Sequence, residues 1–210
     1  ADELQEGQEN VVVGYNALGA DTTGSRNTAV GQGTLSVQNM TGSSVVLSYN
    51  TALGFQSGSL LTTGKINTFV GGLSASGGAV TGSHNVGVGA ETLYYLTSGA
   101  SNVAVGYQAG AGLTTGSNNV AIGREALETE DVGGQSVAIG YAALQLQNVD
   151  GDIYNTAVGA LAGQNTVSGT SNTFIGGLSG RNNTGSSNTA VGAAALDGAV
   201  TGAQNTAVGV

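Results

Sequence analysis

The sequence predicts an all-β chain, a parallel β-solenoid (β-roll or β-helix) of about twelve 17-residue coils, and three observations carry that expectation. A five-residue anchor recurs along the whole length: Asn, then Thr or Val, a variable residue, Val, Ile or Leu, and Gly, as in Asn27–Gly31 and Asn188–Gly192. Its closing glycines, among them Gly14, Gly31, Gly106, Gly123, Gly192 and Gly209, stand 17 residues apart in most steps. The composition of 38 Gly with no Pro, Cys or Trp, and only 8% charged residues, matches neither collagen nor a charge-solvated disordered chain. So much glycine requires a regular structure that uses it at corners.

Taken in order, residues 1–9 form an acidic and polar cap or linker, and residues 10–210 form a single repeat domain. Within each anchor the side chains alternate, which is the period of a strand, and the strand ends on Gly, whose freedom at positive φ lets the chain turn. Three residues later comes a small side chain, such as Ala17, Thr34, Ala126 or Ala195, often followed by Leu. This reads as a second, close-packed segment. A further corner follows at Thr-Gly-Ser or a relative, as in Thr115–Ser117, and the next Asn closes the coil. Two steps carry additions of more than one residue: 23 residues from Gly31 to Gly54, with six extra near Ser43 to Ser48, and 19 from Gly140 to Gly159, with two extra near Asp150 to Asp152; Gly71 to Gly89 is 18 and Gly176 to Gly192 is 16. Corner loops absorb such additions, whereas packed strands do not. One coil cannot bury an apolar face alone; stacked at about 4.8 Å, twelve of them rise roughly 55–60 Å. No apolar stripe at helical spacing persists long enough to compete.

Asn opens eleven of the twelve anchors, at Asn10, Asn27, Asn50, Asn67, Asn85, Asn102, Asn119, Asn155, Asn172, Asn188 and Asn205, with Ser136 in the twelfth. The row predicts a structural ladder of side-chain amides, or a turn conformation that Asn tolerates. The alternation leaves open which anchor face is inside. Because Thr at the second position exchanges with Val, as at Val103 and Val120, and shares a face with the later Val or Ile, that face is expected to be core. The variable position, Ala29 and Ala190 in typical coils and Phe69 and Phe174 in two others, is then expected to point outward. An outward apolar row needs a covering chain, and symmetric self-association is the usual solution.

The net charge of −9 rests on only four basic residues, Arg26, Lys65, Arg124 and Arg181, which disfavours phosphate tracking and hence nucleic-acid binding. His84 is the sole histidine and reads as a surface turn residue, while the short acidic loop Asp150 to Asp152 offers too few oxygen ligands for a calcium site. Gly71-Gly72 and Gly133-Gly134 lack a Walker lysine and read as corners. No set of acid, base and nucleophile converges, so no catalytic, cofactor-binding or metal-binding residue is expected, and the chain is not expected to be an enzyme. No apolar stretch approaches the roughly 18 residues of a membrane span.

Asn119–Gly123 and Ser136–Gly140 resemble the head repeats of trimeric autotransporter adhesins, and the longer unit with Asn-Thr-Ala-Val-Gly, Ala-Leu and Thr-Thr-Gly-Ser is similar to repeats of bacteriophage tail fibres and related surface-fibre proteins. The resemblance implies a homotrimeric extracellular fibre on a virion or cell surface, serving as a rigid spacer or adhesin shaft with a host glycan or protein as its receptor. No heptad stalk, neck or membrane-anchor barrel accompanies it. Two other readings stand beside this one: a subunit that polymerises head to tail into a filament, and a solenoid that binds ice or glycans.

Overall fold

The computed structural model describes residues 6–40 and 45–209. Asp2 and Glu3 of the acidic start, Ser43 and Ser44 of the six-residue addition, and Val210 lie outside the described residues. The described chain is all-β with no helix. Twelve three-residue strands form one parallel sheet in strict chain order: Val11–Val13, Thr28–Val30, Thr51–Leu53, Thr68–Val70, Val86–Val88, Val103–Val105, Val120–Ile122, Val137–Ile139, Thr156–Val158, Thr173–Ile175, Thr189–Val191 and Thr206–Val208. Each strand pairs with those of the coils before and after it, anchor position on anchor position: Val103 lies beside Val120, Ala104 beside Ala121, Val105 beside Ile122. The parallel β-solenoid read from the anchor spacing is therefore the architecture, with the strands of each coil hydrogen-bonded to those of its neighbours and short turn bonds within the coil, such as Leu61 N–H to the Gly58 carbonyl.

The anchor glycine shows why the repeat cannot relax its sequence. Gly89 has φ of +136°, and a Cβ there would stand 2.7 Å from the carbonyl oxygen of Gly106, the equivalent residue one coil on. A conformation of this kind is close to the exclusive property of glycine, and the backbones approach too closely for any side chain.

The two faces of the strand are the reverse of the expectation. Ala29, Phe69, Phe174 and Ala190 are all fully buried, whereas Thr28, Val30, Thr68, Val70, Thr189 and Val191 on either side of them are only partly buried. The variable row lines the solenoid interior and the Thr/Val and Val/Ile rows look outward, so Phe69, Phe174, Ala29 and Ala190 are not an interchain face. The reason is volume. The sheet packs on the segment three and four residues past each glycine, which supplies Ala17, Leu18, Thr34, Leu35, Leu93, Leu127 and Leu144, all fully buried, and between them there is room for Ala but not for a column of β-branched side chains. Where Phe enters, the facing side shrinks: a Cβ on Gly58 would lie 3.2 Å from the Phe69 ring, and one on Gly163 would lie 2.7 Å from that of Phe174. These glycines stand where Leu18, Leu35, Leu93, Leu127 and Leu144 lie in other coils, so the space Leu fills there is given to the Phe ring.

Candidate interaction face

The Asn ladder is the framework on which the outer face is displayed. The anchor Asn from Asn27 to Asn188 are buried beside the variable residue, while Asn10 is half-buried and Asn205 exposed at the two ends. Down the row, Oδ1 accepts the backbone N–H of the next anchor residue: Asn27 N–H donates to Asn10 at 2.9 Å, Asn119 N–H to Asn102 at 2.9 Å, Asn172 N–H to Asn155 at 2.8 Å and Asn205 N–H to Asn188 at 2.9 Å. The same side chain donates through Nδ2 to a glycine carbonyl at the Thr-Gly-Ser corner, as Asn67 does to Gly82 at 3.0 Å and Asn85 to Gly99 at 2.9 Å. Asn50, Asn102, Asn155, Asn172 and Asn188 make the equivalent bond. One amide thus satisfies a donor on one side and a carbonyl at the far corner, which fixes where the strand begins in every coil. Of the two accounts, coil-to-coil bonding is present and runs mainly from amide to backbone, whereas the left-handed turn conformation falls on the residue before each anchor, such as Arg26 or His84, and on none of the anchor Asn themselves.

Two buried acid–glutamine pairs interrupt this regularity. Asp21 accepts the Gly24 N–H at 3.0 Å and the Gln38 side-chain amide at 2.5 Å, and Gln38 accepts from Asn50 Nδ2 at 2.9 Å. Glu130 accepts the Gly133 N–H at 2.8 Å and the Gln147 amide at 3.0 Å; Gln147 donates also to the Ser136 hydroxyl at 3.0 Å and accepts from Asn155 Nδ2 at 2.8 Å. Gln147 therefore spans the rung where Ser136 replaces Asn. All four side chains are fully buried. Burial pushes the Glu130 carboxyl above its ordinary value, against the lowering effect of the N–H groups that point at it. A sequence signal existed: these residues lie seven past their anchor glycines, where Leu61, Leu96 and Leu113 fill the interior in other coils.

The outward face of the sheet carries two rows. One is Thr or Val; the other is Val, Ile or Leu, with Leu53 46%, Ile122 37% and Ile175 42% exposed. No charged residue occurs in either row. Four successive coils, Val86/Val88, Val103/Val105, Val120/Ile122 and Val137/Ile139, are aliphatic in both rows, and Thr-bearing coils flank them on each side. The seven Thr of the second anchor position are thus outward hydroxyls and not core. Charges and aromatics sit on the corners beside the face. Arg26 lies over the Tyr49 ring at 5.5 Å and pairs with Glu9 at 2.7 Å, while Arg124 lies 6.0 Å and 5.8 Å from the rings of Tyr107 and Tyr141 and pairs with Glu125 at 2.7 Å. His84 is exposed at a corner with φ of +63°. Among the described residues no three His, Asp or Glu side chains gather around a common point, Asp150 and Asp152 included, and no concave pocket opens. The arrangement offers an extended surface for contact.

No family model matches the chain, and no match was found among curated proteins or among solved structures.

Proposed function

We propose that the chain is a structural segment of an extracellular fibre on a virion or cell surface, non-catalytic, whose copies associate side by side as a homotrimer through the outward face of the sheet. The observation that supports this reading is the pair of uncharged rows that crosses all twelve strands, aliphatic without interruption from Val86 to Ile139. A chain of net charge −9 meets a copy of itself with least repulsion along such a strip, and the partly exposed aliphatic side chains gain by being covered. The number three comes from the resemblance of Asn119–Gly123 and Ser136–Gly140 to adhesin head repeats. Substituting Val105→Asp together with Ile122→Asp places two charges on the strip without entering the solenoid interior. The expected result by light scattering is a single-chain mass with an unchanged β spectrum. An unaltered mass for the variant, or a wild-type chain that is monomeric throughout, overturns the reading. Phe69→Asp serves as the contrast, because a buried unpaired carboxylate there unfolds the coil instead of separating chains.

The outward threonines favour one further reading, a surface that orders water and binds ice. Thr28, Thr51 and Thr68 repeat in register at the strand spacing of about 4.8 Å. Thermal hysteresis from a monomeric protein, abolished by Thr51→Tyr, would select it over the fibre.

A further inference from the structure

The irregular features of the solenoid recur in a fixed order after six coils. The first coil carries buried Asp21 and the seventh carries buried Glu130; the next coil in each case carries Gln38 or Gln147, bonded to that acid 17 residues back. These same coils carry the two additions of more than one residue, from Gly31 to Gly54 and from Gly140 to Gly159. In both, the lengthened corner pairs in parallel with the corner of the coil before it, Gly24–Ser25 with Val46–Leu47 and Gly134 with Asp152. Both end on an exposed tyrosine, Tyr49 at 41% and Tyr154 at 53%. The third coil of each series then has Gly58 or Gly163, and the fourth has Phe69 or Phe174. Single coincidences of this kind are expected in any repeat array. Seven in the same order, spanning core, corner and surface, are not.

We propose that the chain is a tandem pair of six-coil cassettes, and that in each cassette the buried acid–glutamine clasp is what holds a lengthened, tyrosine-bearing corner on the regular solenoid. The physical need for the clasp is local. Extra residues at a corner displace the turn whose glycine carbonyl ordinarily receives the anchor Asn amide: Asn27 Nδ2 has no hydrogen-bond partner among the described residues and Ser136 replaces Asn in the matching rung, whereas the following anchors, Asn50 and Asn155, keep their bonds to Gly64 and Gly169. The glutamine ties that following anchor to the coil before the altered rung. Its oxygen takes an Nδ2 proton of the following anchor, Asn50 or Asn155, and its amide is held by the acid one coil below. The acid in turn accepts the N–H of a corner glycine three residues on, Gly24 or Gly133. A hydrogen-bonded chain thus links three successive coils where the regular ladder is stretched. The consequence at the surface is two equivalent corners on one edge, six coils or about 29 Å apart.

A double-mutant cycle on the full-length protein tests this at both places: Asp21→Leu, Gln38→Leu and the pair, and Glu130→Leu, Gln147→Leu and the pair. Leucine is the residue that fills this row in Leu61, Leu96 and Leu113, so each double variant extends a leucine column that the fold already accepts. Backbone amide exchange is read at residues 45–49 and 149–154. Each single variant is expected to raise exchange there about tenfold by leaving one buried partner unpaired, and each double variant to exceed wild type by less than the sum of its singles. Equal coupling in the two cassettes is the expected result. Additive effects, coupling in one cassette alone, or exchange that rises evenly over all coils each overturn the proposal.

Discussion

Ile66 sits at a corner with φ of +57° and 48% of its surface exposed. A β-branched side chain gains nothing from the left-handed region and is strained there, whereas Asn118 fills the equivalent corner, with φ of +60°, using the residue type that tolerates this conformation best. Ile66→Asn is accordingly expected to stabilise the protein by about 1 kcal/mol, since the backbone N–H bond to the Ser48 carbonyl at 2.7 Å is retained and little burial is lost. Thermal denaturation by circular dichroism checks it, and a variant that melts lower than wild type counts against corner strain as the cause. Glycine at the same site relieves the strain but adds unfolded-state entropy, so Ile66→Gly is expected to fall between the two.

At the scale of strand and corner, Glu130 gives the solenoid a pH dependence whose sign follows from its burial. Its folded-state carboxyl is raised above the ordinary 4.5, first by desolvation. The folded form therefore holds the proton more firmly than the unfolded chain does. This contribution to stability is fully present below the ordinary carboxylate range and is lost as pH rises from 4.5 through the raised folded value. Glu130→Gln removes the titration, so the melting temperature of the wild type relative to the variant is expected to fall as pH rises above the ordinary 4.5. A constant difference over that range excludes Glu130 as its source. The same element shows what the sequence made legible. The strand positions, the glycine corners and the Asn row were readable because each recurs from coil to coil under one physical demand: alternation for the strand, positive φ for Gly, and a donor and acceptor on one short side chain for Asn. The phase of the strand was not, since three residues in alternation present two candidate faces and Thr exchanging with Val suits a half-covered surface as well as a core. The pairing of Phe69 with Gly58 and of Phe174 with Gly163 held the missing information, because compensating size changes belong to a packed interior. The acid–glutamine clasps escaped notice for the opposite reason: each occurs once per six coils, too seldom to register as a 17-residue pattern.

For the molecule as a whole, the distribution of charge distinguishes the proposed association from an ionic one. Among the described residues no acid lies in the two outward rows of the sheet, and the basic residues Arg26, Arg124 and Arg181 are each paired with an acid of their own chain. The outward strip brings no opposite charges together when copies meet, while each copy adds nine net negative charges to the assembly. Salt screens that repulsion and leaves apolar contact intact. Raising ionic strength from about 0.02 M to 0.5 M is therefore expected to tighten self-association, read as a lower dissociation concentration in sedimentation equilibrium, with sulfate more effective than chloride. An interface built from Arg26, Arg124 and the corner carboxylates would loosen over the same range. Because Val105→Asp with Ile122→Asp adds negative charge to the strip itself, high salt should restore part of its association but not all, the unrecovered part being the apolar contact that the two carboxylates keep hydrated.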